Sequence, residues 1–186
     1  MFKTILTLCI FTLTSQAVVE SQIQKVMDSK VKQVLSVLKK SSLSHNQKVK
    51  KSISIMNSMF DYQTMAMISL GKTWKTLSST QKKQFTKAFE NKMKRSYIDK
   101  LRLYNNQKVI TKPLKKVKST RITLENYIIG KNDTYKVKYL FYKNTKNTQW
   151  YIYDVHLAGV SIVQTYRKQF ASFLRTKSFQ QLLRSL

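Results

Sequence analysis

The chain has 186 residues, of which 42% are hydrophobic and 11% are aromatic, so it is long enough and apolar enough to fold around a core. Its 35 Lys and Arg outweigh 8 Asp and Glu, which gives a formal net charge of +27. This composition excludes an intrinsically disordered protein, and a content of only three Gly and one Pro offers no flexible linker between domains.

The first 17 residues have the pattern of a cleavable signal peptide. Residues 1–3 form a short positive start, and residues 4–14 form an apolar stretch that is too short to span a bilayer. Small side chains at Ser15 and Ala17 predict cleavage after Ala17. A membrane anchor or a buried first helix is the alternative. Cys9 lies within the apolar stretch, so the mature chain would have no disulfide, no thiolate and no sulfur ligand for a metal.

The mature chain begins with predicted helices. Residues 20–40 form the first, because its apolar residues recur at steps of three and four. A second helix over residues 48–59 continues this pattern, after a polar break. Asp61 is then the predicted N-cap of a short helix that Gly71 ends. The apolar positions of the first two helices are Ile23, Val26, Met27, Val31, Val34, Leu35, Leu38, Val49, Ile53, Met56 and Met59.

A longer helix follows Ser78, which forms a predicted capping box with Gln81. Bulky side chains then recur along one side of this helix, and most lysines occupy the other side. The ordinary interpretation of such a stripe is core packing. The more specific interpretation is that part of it lines an apolar cavity. The stripe contains Phe85, Phe89, Met93, Tyr97, Leu101 and Tyr104.

Beyond Pro113 the hydrophobic period changes from helical spacing to two, which predicts strands. Apolar residues alternate with polar ones around Ile122 and Leu124, then over residues 135–141, and a further strand is predicted over residues 149–157. Helical spacing returns from Val160 to the C-terminus. The sequence therefore predicts an α+β domain with an antiparallel sheet that helices cover on one face.

Catalytic patterns are scarce. The sequence has no His-x-Glu, HExxH, GxSxG or phosphate-binding glycine loop. Asp154, His156 and Ser161 contain the groups of a hydrolase triad, but they are more simply explained as groups at a strand corner, with Ser161 as a helix N-cap. We therefore predict no enzyme, no catalytic residue and no metal site.

The charge has two explanations that the sequence leaves open. A general bias toward lysine would spread basic residues along the chain, as observed. A specific anionic partner or surface would also select for them. Basic residues interleaved with tyrosines are compatible with nucleic-acid binding, but the predicted signal peptide and the absence of a nucleic-acid motif argue against it.

Two segments resemble the MlaC family, the periplasmic phospholipid-binding proteins that are also called toluene-tolerance or auxiliary ABC-transport components. The first begins at Phe60-Asp61-Tyr62, includes Leu70-Gly71-Lys72-Thr73-Trp74 and extends along the aromatic helix. The second is Trp150-Tyr151-Ile152-Tyr153-Asp154-Val155, followed by Gly159-Val160-Ser161-Ile162-Val163 and continuing to Leu182-Leu183.

The resemblance implies a single domain over residues 18–186, with an antiparallel sheet of four to five strands wrapped by helices around an apolar lipid cavity. It also implies a monomeric periplasmic shuttle that carries glycerophospholipid between outer- and inner-membrane complexes and maintains outer-membrane lipid asymmetry. The implied partners are an inner-membrane ABC transporter complex with its membrane-anchored lipid-binding subunit and an outer-membrane lipoprotein complex. No cofactor besides the phospholipid ligand is implied.

The predicted cavity wall combines apolar residues from the helices and the sheet, and packing in the core is the alternative for each of them. The runner-up function is that of a secreted cationic protein that binds an anionic membrane surface or polyanion through charge, which salt would weaken. The wall candidates are Met65, Trp74, Phe89, Met93, Tyr97, Leu101, Tyr135, Val137, Tyr139, Trp150, Ile152, Val163, Tyr166 and Phe170.

Overall fold

A computed structural model describes residues 18–102 and 107–186, with the side chains of residues 97–102 outside that description. The predicted signal peptide, residues 1–17, lies outside the described residues. The side chains of two wall candidates, Tyr97 and Leu101, also lie outside them.

The described chain alternates between helical and sheet regions in three blocks, which confirms the α+β class. One 3-10 turn, Glu20–Gln22, precedes the first helix, and another, Gly71–Thr76, connects the third helix to the fourth. The helices are α1 (Ile23–Lys39), α2 (His45–Asn57), α3 (Tyr62–Leu70), α4 (Ser79–Arg102), α5 (Ile162–Phe173) and α6 (Phe179–Ser185). The strands are β1 (Lys108–Thr111), β2 (Lys115–Lys118), β3 (Arg121–Ile129), β4 (Thr134–Lys143), β5 (Trp150–Leu157) and β6 (Val160–Ser161).

Local side-chain caps determine where several helices begin. Asp61 Oδ1 accepts the Thr64 N–H at 2.9 Å, which confirms the predicted cap of α3. Ser78 and Gln81 form the predicted capping box, with bonds of 2.9 and 3.2 Å. A second capping box, built by Ser44 and Gln47, starts α2 at His45, three residues before the predicted start.

The strands form one antiparallel sheet with the order β1-β3-β4-β5-β6, and β2 also pairs with β3. The six strands of the described residues exceed the expected four to five, because two short strands on either side of Pro113 both pair with β3 and because β6 adds only two residues. The chain at Met59–Asp61 covers part of the remaining edge of β5, where the Ile152 N–H donates to the Met59 carbonyl at 2.8 Å.

Two hydrophobic clusters hold the helices and the sheet together. Phe60 and Ile162 pack against both clusters and connect them. The helical core contains Met65, Ala66, Leu70, Trp74, Leu77, Phe85, Phe89, Met93, Val163, Tyr166, Phe170 and Leu182. The sheet core contains Ile23, Met27, Met59, Ile122, Leu124, Val137, Phe141, Trp150, Ile152 and Val155. Of the helices that the structure describes, none combines the length and apolar character needed to cross a bilayer.

Candidate functional site

A cavity of about 190 Å³ lies between the α1–α2 pair and the inner face of the sheet. Side chains from both helices form one wall, and alternate residues of β1, β3, β4 and β5 form the other. Tyr62 at the start of α3 and Lys94 of α4 also line the cavity. Its lining contains Val31, Val34, Leu35, Leu38, Ser52, Ile53, Met56, Phe60, Tyr62, Lys94, Val109, Asn126, Ile128, Val137, Tyr139 and Val155.

The helical wall follows from the apolar stripes of α1 and α2. Steps of three and four place Val31, Val34, Leu35 and Leu38 on one side of α1. Every one of these four side chains is only half-buried, although each is aliphatic. The stripe thus forms the wall of an open space, whereas Ile23 and Met27 at the beginning of the same helix are fully buried in the sheet core.

Lys94 is the one charged side chain among the residues that line the cavity within the described structure. Its ammonium forms an ion pair with Glu90 and lies 5.4 Å from the centre of the Tyr62 ring. Burial opposes ionisation of Glu90, but hydrogen bonding and charge attraction from Lys94, with a weaker contribution from Lys87, lower the pKa of this carboxyl overall. The cavity therefore has a cation at one border and mainly apolar walls elsewhere.

Two tyrosines place their rings in the lining. Burial raises the pKa of Tyr139 to about 12, with a smaller opposing effect from the side chain of Asn126. Burial, together with the nearby charge of Glu90, also raises the pKa of Tyr62. Both hydroxyls therefore stay protonated at neutral pH, so the two rings add no negative charge to the cavity.

The predicted wall residues of the sheet separate into three groups. Val137 and Tyr139 line the cavity. Trp150 and Ile152 are buried in the sheet core, beyond the cavity lining. Tyr135 is 52% exposed, and its hydroxyl donates to Asp133 Oδ2 at 3.2 Å, so its ring lies at the surface near the turn before β4.

The described wall candidates from the helices lie in the helical core and not along the cavity. Phe89 illustrates the reason, because its ring packs edge-on against Tyr166 and Phe170 at centroid distances of 5.4 and 6.2 Å. The apolar side of α4 thus has packing partners on α3, α5 and α6. Met93 and Tyr166 also border a separate surface depression. The candidates in this core are Met65, Trp74, Phe89, Met93, Val163, Tyr166 and Phe170.

Sequence reasoning did not assign the α1 and α2 stripes or Asn126 to the wall. The stripes were visible as periodic apolar residues, but period alone does not distinguish a face that packs tightly from one that borders a cavity. Asn126 gave a clearer signal, since it interrupts the apolar inner face of β3 between Leu124 and Ile128. A buried amide on an apolar face marks a position where the surroundings are not simply core.

Asp154, His156 and Ser161 do meet in the structure, but their geometry is that of a structural corner. The Ser161 hydroxyl donates to Asp154 Oδ2 at 2.6 Å, and His156 Nε2 lies 3.2 Å from the same oxygen. A nucleophilic serine would instead hydrogen-bond to the imidazole. Within the described part of the chain, no group of His, Cys, Asp or Glu has an arrangement suited to a metal ion.

Known proteins are similar to this chain in sequence and in fold. It is 27% identical over 117 residues to the intermembrane phospholipid transport system binding protein MlaC of Haemophilus influenzae. The match covers 61% of the chain and 55% of that relative, so the chain spans about half of the relative's length. A phospholipid-binding protein from Ralstonia solanacearum, solved in complex with a phospholipid, has the same fold, with a TM-score of 0.73. Its sequence is 20% identical, and the match covers 87% of this chain and 92% of that one.

The family comparison extends over most of the chain. The family model described as MlaC protein matches residues 28–186, which include every described helix and strand from α2 to α6 and most of α1. This range contains both segments on which the sequence resemblance rested. The chain therefore belongs to the MlaC family.

Proposed function

We propose that the chain is a phospholipid carrier that holds acyl chains in the cavity between α1–α2 and the sheet. The observation that carries this proposal is the apolar lining, in which aliphatic side chains from both helices face aliphatic side chains of the sheet. Each methylene group removed from water contributes roughly 0.8 kcal/mol, so a cavity of this kind favours long hydrocarbon chains without needing hydrogen bonds. Family membership and the names of the similar proteins support the same function.

Acyl chains need more room than the cavity provides in this conformation. Its volume of about 190 Å³ lies below the roughly 300–1,000 Å³ of typical small-molecule sites. We therefore infer that lipid entry moves the α1–α2 pair away from the sheet. The half-buried wall side chains and the flexible Met56 allow such widening at a low packing cost, while the buried Ile23 and Met27 keep the start of α1 attached.

The head group belongs at the border of the cavity where Lys94 lies. A lipid phosphate placed there would replace Glu90 as the partner of the Lys94 ammonium or share it. The proposal gives the protein no enzymatic activity and no cofactor, because binding and release of a lipid require neither.

Family membership is compatible with a specific transport cycle. We propose that signal-peptide cleavage after Ala17 exports residues 18–186 to the periplasm as a monomer. There the protein would carry glycerophospholipid between an outer-membrane lipoprotein complex and an inner-membrane ABC transporter complex, and so maintain outer-membrane lipid asymmetry. A soluble carrier suits this role because it shields the acyl chains from water during the crossing.

Native mass spectrometry tests the proposal directly. The mature protein, from Val18 onward, is purified in high salt, and lipids are extracted from the same sample. We expect one phospholipid per protein molecule, retained at high salt because burial of hydrocarbon is not screened by ions. Lipid-free protein that also fails to take phospholipid from vesicles would reject the carrier. Binding to vesicles that disappears as salt rises would indicate attraction by charge alone.

A further inference from the structure

Two polar side chains are buried in the otherwise apolar wall of the cavity. Ser52 of α2 and Asn126 of β3 are each 2% exposed, and both line the cavity from opposite sides. Ser52 Oγ and Asn126 Oδ1 have no hydrogen-bond partner among the described residues. Buried polar atoms in folded proteins nearly always have such a partner, so two in one cavity indicate a binding role.

Ser52 differs from another buried helical serine in that its hydroxyl has no hydrogen-bond partner among the described residues. The hydroxyl of a buried serine within a helix usually donates a hydrogen bond to the backbone carbonyl one turn earlier. Ser69 of α3, which is equally buried, does so by donating to the Ala66 carbonyl at 2.9 Å. Ser52 makes no such bond, so its hydroxyl is available to a group inside the cavity.

Asn126 is held rigidly at the centre of the sheet. Its backbone lies between Thr111 of β1 and Val137 of β4 in the antiparallel register. A half-turn of the amide exchanges its oxygen and nitrogen without moving the rest of the side chain, so Asn126 can offer the cavity either an acceptor or an N–H donor. The neighbouring Tyr139 hydroxyl, which stays protonated at neutral pH, can donate to the amide oxygen when the N–H faces the cavity.

The ligand that fits has a mainly hydrocarbon body with hydrogen-bond acceptors close to its chains. We propose that Ser52 and Asn126 form an ester site that donates hydrogen bonds to the carbonyl oxygens joining acyl chains to glycerol. The inference rests on the proposed carrier function and adds a preference to it. Ester-linked lipids would bind more tightly than ether-linked lipids of the same chains and head group, because the ether lacks the carbonyl acceptor.

The test compares two lipids in the mature protein. Dioleoyl phosphatidylglycerol is a diester, and its dialkyl ether analogue differs only in lacking the two carbonyl oxygens. Competition between them from mixed vesicles is measured by native mass spectrometry. For the wild-type protein we expect a preference of about tenfold for the diester, as two neutral hydrogen bonds provide.

Variants assign that preference to the two side chains. Ser52→Ala and Asn126→Leu should each reduce the preference to about threefold or less, by loss of one hydrogen bond. Thr86→Val is the matched control, because Thr86 Oγ1 of α4 is also buried without a partner among the described residues but lies away from this cavity. This variant should leave the preference unchanged. Circular dichroism establishes that each variant is folded.

The possible outcomes distinguish failure of the ester site from failure of the proposed carrier function. A wild-type protein that binds diester and diether equally would overturn the ester site and leave the carrier intact. Binding of neither lipid would reject the carrier itself. A tenfold preference that survives in folded Ser52→Ala and Asn126→Leu proteins would also overturn the assignment, since other groups would then recognise the carbonyls.

Discussion

The Ser161 hydroxyl donates a 2.6 Å hydrogen bond to Asp154 Oδ2 and joins the middle of β5 to the start of α5. The other carboxylate oxygen, Asp154 Oδ1, accepts the backbone N–H groups of Val155 at 2.8 Å and Val163 at 3.1 Å. Ser161 Oγ in turn accepts the N–H of Gln164 and caps α5. One buried carboxylate thus holds the corner between sheet and helix.

Replacing Asp154 should therefore be the more damaging change at this corner. Asp154→Ala leaves the Ser161 hydroxyl and two backbone N–H groups without their acceptor, so we expect a loss of about 2–4 kcal/mol in the free energy of unfolding. Ser161→Ala removes the helix cap and one hydrogen bond, with an expected loss of about 1 kcal/mol. Urea denaturation of the mature proteins measures both.

His156→Ala tests whether the group formed by Asp154, His156 and Ser161 has a structural role only. The His156 side chain is 28% exposed, and its polar contact among the described residues is with Asp154, so its removal should change the free energy of unfolding by less than about 1 kcal/mol. Lipid content should be unchanged in all three variants that remain folded. A loss of lipid in His156→Ala with normal stability would contradict a purely structural role.

The sequence predicted the longer strands and several helix starts because those depend on local patterns. The two-residue period of β4 and the caps at Asp61, Ser78 and Ser161 appear in the structure where the sequence predicted them. Strands β1 and β2 were not predicted. Each has four residues, and β2 is exposed throughout, so neither shows the alternation that identifies a half-buried strand.

The cavity wall was harder to predict, since it depends on which faces meet. The stripe of α4 carries bulky aromatic side chains, yet Phe85 and Phe89 pack against Phe170 of α5. The aliphatic stripe of α1 borders the cavity instead. Hydrophobic period shows that a face is covered, but the tertiary arrangement decides what covers it.

A charge in the cavity wall should prevent lipid binding. Val137 of β4 is buried and faces the cavity, so Val137→Asp would place a carboxylate among hydrocarbon chains. We expect at least a tenfold drop in the amount of phospholipid per protein molecule, measured by lipid extraction. The free-energy cost of desolvating a charge is larger than the gain from burying several methylene groups.

Tyr135→Asp is the matched control for Val137→Asp, because Tyr135 lies two residues earlier on the same strand but is 52% exposed. It should retain its lipid. If Val137→Asp proves unstable, Tyr139→Asp places the charge in the same wall. A folded Val137→Asp protein with normal lipid content would show that the acyl chains bind elsewhere.

The raised pKa of Tyr139 predicts a dependence of stability on alkaline pH. A tyrosine of the unfolded chain ionises near pH 10, whereas Tyr139 in the folded protein ionises near pH 12. The unfolded state therefore loses its proton first, so the contribution is complete below pH 10 and is lost as the pH rises toward 12. Tyr139→Phe should show a smaller fall in the free energy of unfolding over this interval than the wild-type protein.

Phenolate absorbance provides an independent check of the raised pKa of Tyr139. A titration of the folded wild-type protein should contain one high-pKa transition more than that of Tyr139→Phe. Tyr62, whose pKa is also raised, contributes equally to both titrations and does not affect the comparison. Identical titration curves for the two proteins would contradict the burial of the Tyr139 hydroxyl.

Lys94 should determine how strongly the carrier favours anionic head groups. Lys94→Gln removes the cation at the border of the cavity, and we expect binding of phosphatidylglycerol to weaken by about threefold to tenfold, as for a partly exposed ion pair. Lys87→Gln is the control, because Lys87 lies 3.5 Å from the same Glu90 carboxylate but is exposed and does not line the cavity. Affinity is measured by vesicle transfer at low and high salt. Equal weakening in both variants would indicate general attraction by charge, whereas a loss confined to Lys94→Gln would place the phosphate at the border of the cavity.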